Sequence, residues 1–107
     1  MVLYDRWIYQ RIRGAASQCD AWAMTLAAYN GGLGWIHRDR KLCRLADHTD
    51  GDCHEGRWFG HVERFSQRAP WAFRENRGYP RRILFNLTPA YLRAGFTGTD
   101  FCREIRP

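Results

Sequence analysis

The run DAWAMTLAAYNGG at residues 20–32 constrains the fold more than any other stretch of the chain. Its alanines favour helix and carry little bulk, so a helix here lets a second helix approach closely. Trp22, Leu26 and Tyr29 fall on one face of it at helical spacing. Asp20 can cap its start. Gly31 and Gly32 can end it, because glycine takes the positive φ that a helix C-terminus commonly needs, and Asn30 tolerates it too. The stretch predicts a central helix against which the rest of the chain packs.

The same period recurs on both sides. Across residues 2–13, Tyr4, Ile8 and Ile12 form a stripe with Leu3 and Trp7 beside it, while Asp5, Arg6, Gln10 and Arg13 face away, which predicts one helix. A further amphipathic segment runs from Trp35 to Ala46, and the polar stretch DHTDGDCHEG at 47–56 reads as a loop. RWFGHVERF at 57–65 resumes helical spacing through Trp58, Val62 and Phe65, weakened by Gly60. WAFRENRGYPRRILFNL at 71–87 is expected to kink or divide at Gly78 and Pro80. TPAYLRAG at 88–95 has the signals of a complete short helix: Thr88 as N-cap, Pro89 in the first turn and Gly95 just past the end. The remaining tail is irregular. With no alternating strand and no internal repeat, the fold class is all-α, and 107 residues leave room for one domain, 1–107.

Five Trp, five Tyr and six Phe supply large apolar area and exclude a disordered basic tail. The net charge of +6 comes from sixteen arginines and one lysine spread along the chain, which suits anionic partners without choosing between phosphate, nucleic acid and an acidic wall polymer. Four cysteines, Cys19, Cys43, Cys53 and Cys102, permit two disulfides in any of three pairings, and Cys43 with Cys53 could staple the polar stretch between them. Residues 1–14 are amphipathic and charged, so they do not read as a secretory signal, and nothing is long enough to span a bilayer.

Four groups of residues bear on chemistry. GGLG at 31–34 does not complete a dinucleotide fingerprint, and a helix rather than a strand precedes it. Cys43, His48, Cys53 and His54 include zinc-type ligands, but the spacing matches no zinc element and a disulfide-bearing loop accounts for them better. His37 and His61 read as surface or half-buried histidines. For acid/base work the glutamates are Glu55, Glu63, Glu75 and Glu104. Glu75 is the candidate of most interest, because on an unbroken helix it would share a face with Tyr79, although an arginine-paired structural role is the expected one.

LAAYNGGLGWIHRDR at 26–40, followed by RENRGYPRRIL at 74–84, resembles the lytic transglycosylases of the lysozyme superfamily, and phage-type cell-wall lysins in particular. Their pattern is an alanine-rich helix ending in A-Y-N-x-G, then a downstream helix bearing E-(T/N)-R-x-Y. RWFGHVERF and TPAYLRAGF also look like the phage proteins, so the resemblance extends over nearly the whole chain. It implies a lysozyme-like helical domain and a peptidoglycan substrate. Tyr29, Asn30, Gly31 and Tyr79 would line the glycan cleft, with Asn30 placing an amide against an N-acetyl sugar. In that family one glutamate protonates the glycosidic oxygen and the sugar's own 6-hydroxyl closes a 1,6-anhydro ring, with no cofactor or metal. Such an acid needs an apolar pocket to stay protonated near neutrality.

That glutamate lies in an E-S-x block well upstream of A-Y-N-x-G, whereas the 27 residues before Ala28 contain no glutamate. The resemblance is therefore to the C-terminal portion of the domain. It implies an acid supplied by a separate chain, a truncated reading frame, or a scaffold that keeps glycan or a partner without catalysis. The expected setting is a phage or prophage product made in the host cytoplasm and acting at the wall or periplasm, or within a virion. An alternative from another class is a non-catalytic glycan-binding or virion protein. A third is a small basic nucleic-acid-binding protein; dispersed arginines and tryptophans at core spacing speak against it.

Overall fold

The structure, a computed structural model, describes residues 2–106, and the backbone alone for residues 2–5, 49 and 50. Five α-helices follow one another: α1 (Val2–Tyr9), α2 (Gln18–Gly31), α3 (Leu33–Asp50), α4 (Pro70–Arg81) and α5 (Thr88–Arg93). A 3₁₀ turn at Val62–Arg64 lies between α3 and α4, and a π-helical stretch at Arg82–Leu87 joins α4 to α5. No strand occurs among the described residues, so the class is all-α.

Helix α2 is the centre, packed against α1, α3 and α4. Ala23, Ala27 and Ala28 are buried beside Met24 and Leu26, which is why small residues recur there: they let the neighbouring helices come close. Its N-cap is Ser17, not Asp20. The Ser17 hydroxyl accepts the Asp20 backbone N–H at 3.2 Å and donates to Asp20 Oδ2 at 2.6 Å. Asp20 is thereby freed for a longer-range task, accepting the Trp58 backbone N–H on Oδ1 at 2.8 Å. At the other end Gly32 alone takes positive φ, 105°, and serves both as C-cap of α2 and N-cap of α3, while Asn30 and Gly31 remain helical. Two helices thus turn on a single glycine.

Three boundaries differ from the periodicity. Helix α1 stops at Tyr9, and i→i+3 bonds from Arg11 and Ile12 tighten the next residues into a turn that still buries Ile12 beside Ile8. Tyr4 and Leu3, placed on the expected stripe, lie outside the described side chains. Helix α3 continues to Asp50, so the loop begins only at Gly51, whose φ of 65° ends the helix and whose N–H bonds Asp47 O at 2.8 Å. Residues 57–65 form turns that lead into the short 3₁₀ helix Val62–Arg64 rather than one α-helix, with Gly60 at φ 77°. Trp58 and Val62 are nonetheless fully buried, because two tight turns also place residues four apart on one side.

Neither Gly78 nor Pro80 divides α4. Pro80 is buried inside the helix, and the disruption expected of a residue without an N–H is followed by the wider π-helical turns from Arg82. Thr88 then caps nothing, since α5 continues directly and the Thr88 hydroxyl donates to Ile83 O at 2.9 Å. Gly95, at φ 96°, follows the end as expected. The irregular tail is pinned to α2 by the Cys19–Cys102 disulfide and by Phe101, whose ring lies 6.0 Å from that of Trp22. The second disulfide, Cys43–Cys53, closes the loop after α3.

Candidate functional site

The C-terminal turn of α2 and the middle of α4 carry the two sequence blocks, and the packing of these helices brings them together. Asn76 is buried and donates its side-chain amide to Ala27 O at 2.8 Å and to Asn30 Oδ1 at 3.1 Å. Tyr29 and Tyr79, both half-buried, stack with ring centroids 6.5 Å apart and planes inclined by 22°. Asn30 itself is exposed. Because its Oδ1 accepts from Asn76, its Nδ2 is left as the outward donor.

Gly31 has a different part. Its carbonyl accepts a bond from Arg68 Nη2, and a Cβ on Gly31 would collide with that guanidinium. Arg68 in turn lies over the Trp35 ring at 5.1 Å, so Gly31 is where an arginine from the segment before α4 locks onto the α2–α3 turn. Burial pulls the Arg68 pKa down, with Asp39 opposing and Arg77 adding to the shift.

Beneath this surface is an ionic core. Arg77 reaches Asp39 Oδ2 on α3 at 2.6 Å, and also donates to Glu63 O at 2.9 Å, Phe65 O at 2.6 Å and the Asn76 side-chain carbonyl. Burial pushes the Asp39 pKa up, against the lowering effects of Arg77 and Arg68, and its Oδ1 has no hydrogen-bond partner among the described residues. The guanidinium is packed over Trp58 and Phe73, at 4.7 and 4.9 Å. This network fixes α4 against α3, and Asn76 fixes it against α2.

Glu75 lies on the exposed side of α4 and makes no hydrogen bond or ion pair among the described residues. The unbroken helix does give it the i, i+4 relation to Tyr79, but solvent surrounds it where a glycosidic proton donor needs apolar enclosure. Two other glutamates are the arginine-paired ones, and Glu63 is held by Arg81 Nε and Nη2, both at 2.6 Å. That bond raises the Arg81 pKa, burial opposing it. Glu55 is bound by Arg44 at 3.0 Å, and Glu104 is exposed. A hollow of about 380 Å³ beside α4 is lined by Glu63, Phe73, Arg74, Arg77, Gly78 and Arg81, among others, and not by Tyr29, Asn30, Gly31 or Tyr79.

Reading the sequence alone missed Asp39, Asn76 and Arg77 as individuals. Asp39 had a signal: it stands three residues after Ile36 and four before Cys43, both fully buried, so an acid occupies a core stripe and needs a buried cation. Asn76 and Arg77 lay inside the quoted RENRGYP block, where the tyrosine drew attention away from the two polar residues that face inward. His37 is exposed and His61 half-buried, as expected. Among the described residues no group of three or more His, Cys, Asp or Glu could hold a metal ion, and Cys43 and Cys53 are joined to each other. No described helix is long and apolar enough to cross a membrane.

These features define a disulfide-bonded all-α domain organised on a buried central helix. No family model matches the chain, and no curated protein or solved structure matches it.

Proposed function

We propose that this chain carries the glycan-facing half of a peptidoglycan lytic transglycosylase of the lysozyme-like type, working in phage-type cell-wall lysis. The observation that carries the reading is the junction of AYNGG with RENRGYP: Asn76 on Asn30 at 3.1 Å and Tyr29 on Tyr79. Two blocks some 46 positions apart, singled out for their likeness to one family, meet at a single surface. Asn30 offers an amide donor suited to an acetamido carbonyl, and the tyrosines offer ring faces and hydroxyls to a sugar. Two disulfides suit work outside a reducing compartment.

The proton donor of such a reaction comes, in this reading, from outside these 107 residues. A second reading, a glycan-binding or virion protein without catalysis, draws on a specific observation: Glu55 and Glu63 are tied to arginines while Glu75 and Glu104 stand in solvent. One experiment separates them. Purified peptidoglycan is incubated with the chain, alone and with the product of any upstream reading frame, and muropeptides are analysed by mass spectrometry. 1,6-Anhydro products in the combined reaction support the enzyme. Pelleting with peptidoglycan without such products leaves the binding role. Absence of both ends the glycan proposal.

A further inference from the structure

We propose that a hollow beside the middle turns of α3 is a binding site for a small ligand bearing a dianionic phosphate group. The hollow, about 550 Å³, is lined by Arg13, Gly14, His37, Arg40, Arg44, His54, Glu55 and Gly56, a volume within the range of small-molecule sites. Three separate stretches of chain contribute: the turn after α1, two successive turns of α3, and the loop beyond the Cys43–Cys53 disulfide.

Arg40, Arg44 and His54 are held in place by hydrogen bonds, whereas Arg13 and His37 stand free at the rim among the described residues. Arg40 is half-buried; its Nε donates to Glu55 O at 2.9 Å, and Nη2 lies beside Gly14, 3.5 Å from where a Cβ would stand. With Nε anchored, the terminal nitrogens have no hydrogen-bond partner among the described residues and lie at the wall of the hollow. Arg13 and His37 are exposed and likewise make no described bond. His54 Nδ1 accepts the Gly56 N–H at 3.0 Å, so in the neutral imidazole the proton sits on Nε2, making that nitrogen a donor. The single carboxylate, Glu55, is taken by Arg44 at 3.0 Å.

Three guanidiniums therefore face one carboxylate, leaving an excess of two positive charges around the hollow. Burial lowers the Arg40 pKa, Glu55 opposes this and Arg44 adds to it, a balance that a bound anion would relieve. Guanidinium forks and an imidazole donor match the tetrahedral oxygens of phosphate, and the remaining volume admits the group to which the phosphate is attached. This site shares no residue with the Tyr29–Asn30–Tyr79 surface and does not depend on the glycan reading.

The test is calorimetric titration at fixed ionic strength with inorganic phosphate, glucose 6-phosphate and glucose. Saturable single-site binding is expected for the two phosphates and none for glucose. Tighter binding of glucose 6-phosphate assigns the site to a phosphorylated small molecule; equal binding assigns it to free phosphate. Arg13→Gln and Arg40→Gln should each weaken binding at least tenfold, Glu55→Gln should tighten it severalfold, and Arg74→Gln on α4 should change nothing. Arg13 makes no described bond, so its variant tests the proposal even if Arg40→Gln unfolds. No saturable binding, or binding that Arg13→Gln leaves intact, would overturn it.

Discussion

Asn76 holds Asn30 from below: one buried amide on α4 bridges a backbone carbonyl and a side-chain carbonyl at the end of α2. The two residues should therefore separate stability from binding. Asn76→Ala removes both bonds together with the acceptor that Arg77 uses, leaves a cavity, and is expected to lower the unfolding free energy by about 1–3 kcal/mol in urea denaturation. Asn30→Ala removes an exposed side chain and one of the two acceptors of the Asn76 amide, and should cost less, about 0.5–1 kcal/mol. If the surface binds glycan, Asn30→Ala nonetheless weakens pelleting with peptidoglycan. Equal retention of the wild type and this variant would count against Asn30 as a contact.

The Arg77–Asp39 pair predicts a far larger effect. Arg77→Ala strips Asp39 of its cation and leaves the carbonyls of Glu63 and Phe65 without their shared donor. Removing one partner of a buried pair typically costs about 3–5 kcal/mol, and a domain this small has little to spare. Arg77→Lys keeps the charge but not the fork that reaches three elements, so it should recover less than half of the loss. Thermal unfolding by circular dichroism measures both. A near-wild-type melting temperature for Arg77→Ala would mean that the apolar packing around Trp58 holds this region by itself.

The helical class and the central position of α2 were readable because alanine spacing and terminal glycines act locally. What escaped were features decided by distant partners. Ser17 takes the cap that Asp20 could have filled, because Asp20 is needed by Trp58, thirty-eight residues away. Pro80 does not break its helix: it is buried together with Asn76 and Arg77 of the same helix, and π-helical turns follow directly. The Trp58–Val62–Phe65 spacing suggested a helix although it belongs to turns, since burial on one side does not require a helix. Trp71 and Trp7, assigned to packing by spacing, are 67% and 45% exposed, so period alone did not reveal whether a partner element was present. The Asn30–Asn76 and Tyr29–Tyr79 meetings needed the α2–α4 packing and could be anticipated only through family likeness.

The two disulfides should differ in weight. Cys19–Cys102 spans 83 positions and Cys43–Cys53 spans 10. The chain-entropy relation gives roughly 4.5 kcal/mol for the longer closure and roughly 3 kcal/mol for the shorter. Paired serine replacements at Cys19 and Cys102 are therefore expected to reduce the melting temperature more than replacements at Cys43 and Cys53. The tail has few other anchors: Phe101 lies near Trp22, and Arg106 pairs with Asp100 within the tail itself. Limited proteolysis should accordingly cut after residue 93 in the first variant and spare it in the second.

His61 gives the domain a pH response. Its Nδ1 accepts the His54 backbone N–H at 3.0 Å, a bond that a proton on Nδ1 would abolish. Burial lowers its pKa from the ordinary 6.5, helped by Arg57, Arg64 and His54, with Asp20 opposing. Below pH 6.5 the unfolded chain therefore takes up a proton that the folded chain resists, so stability falls as pH drops through 6.5 toward the lowered value, and is regained above it. His61→Asn, whose side-chain oxygen can still accept from His54, should flatten the stability profile in that window while leaving stability at pH 8 within about 1 kcal/mol of the wild type. Urea midpoints between pH 5 and 8 measure this directly. An unchanged slope in the variant would move the response to another group, and the His54–His61 bond would then be structural without being a proton sensor.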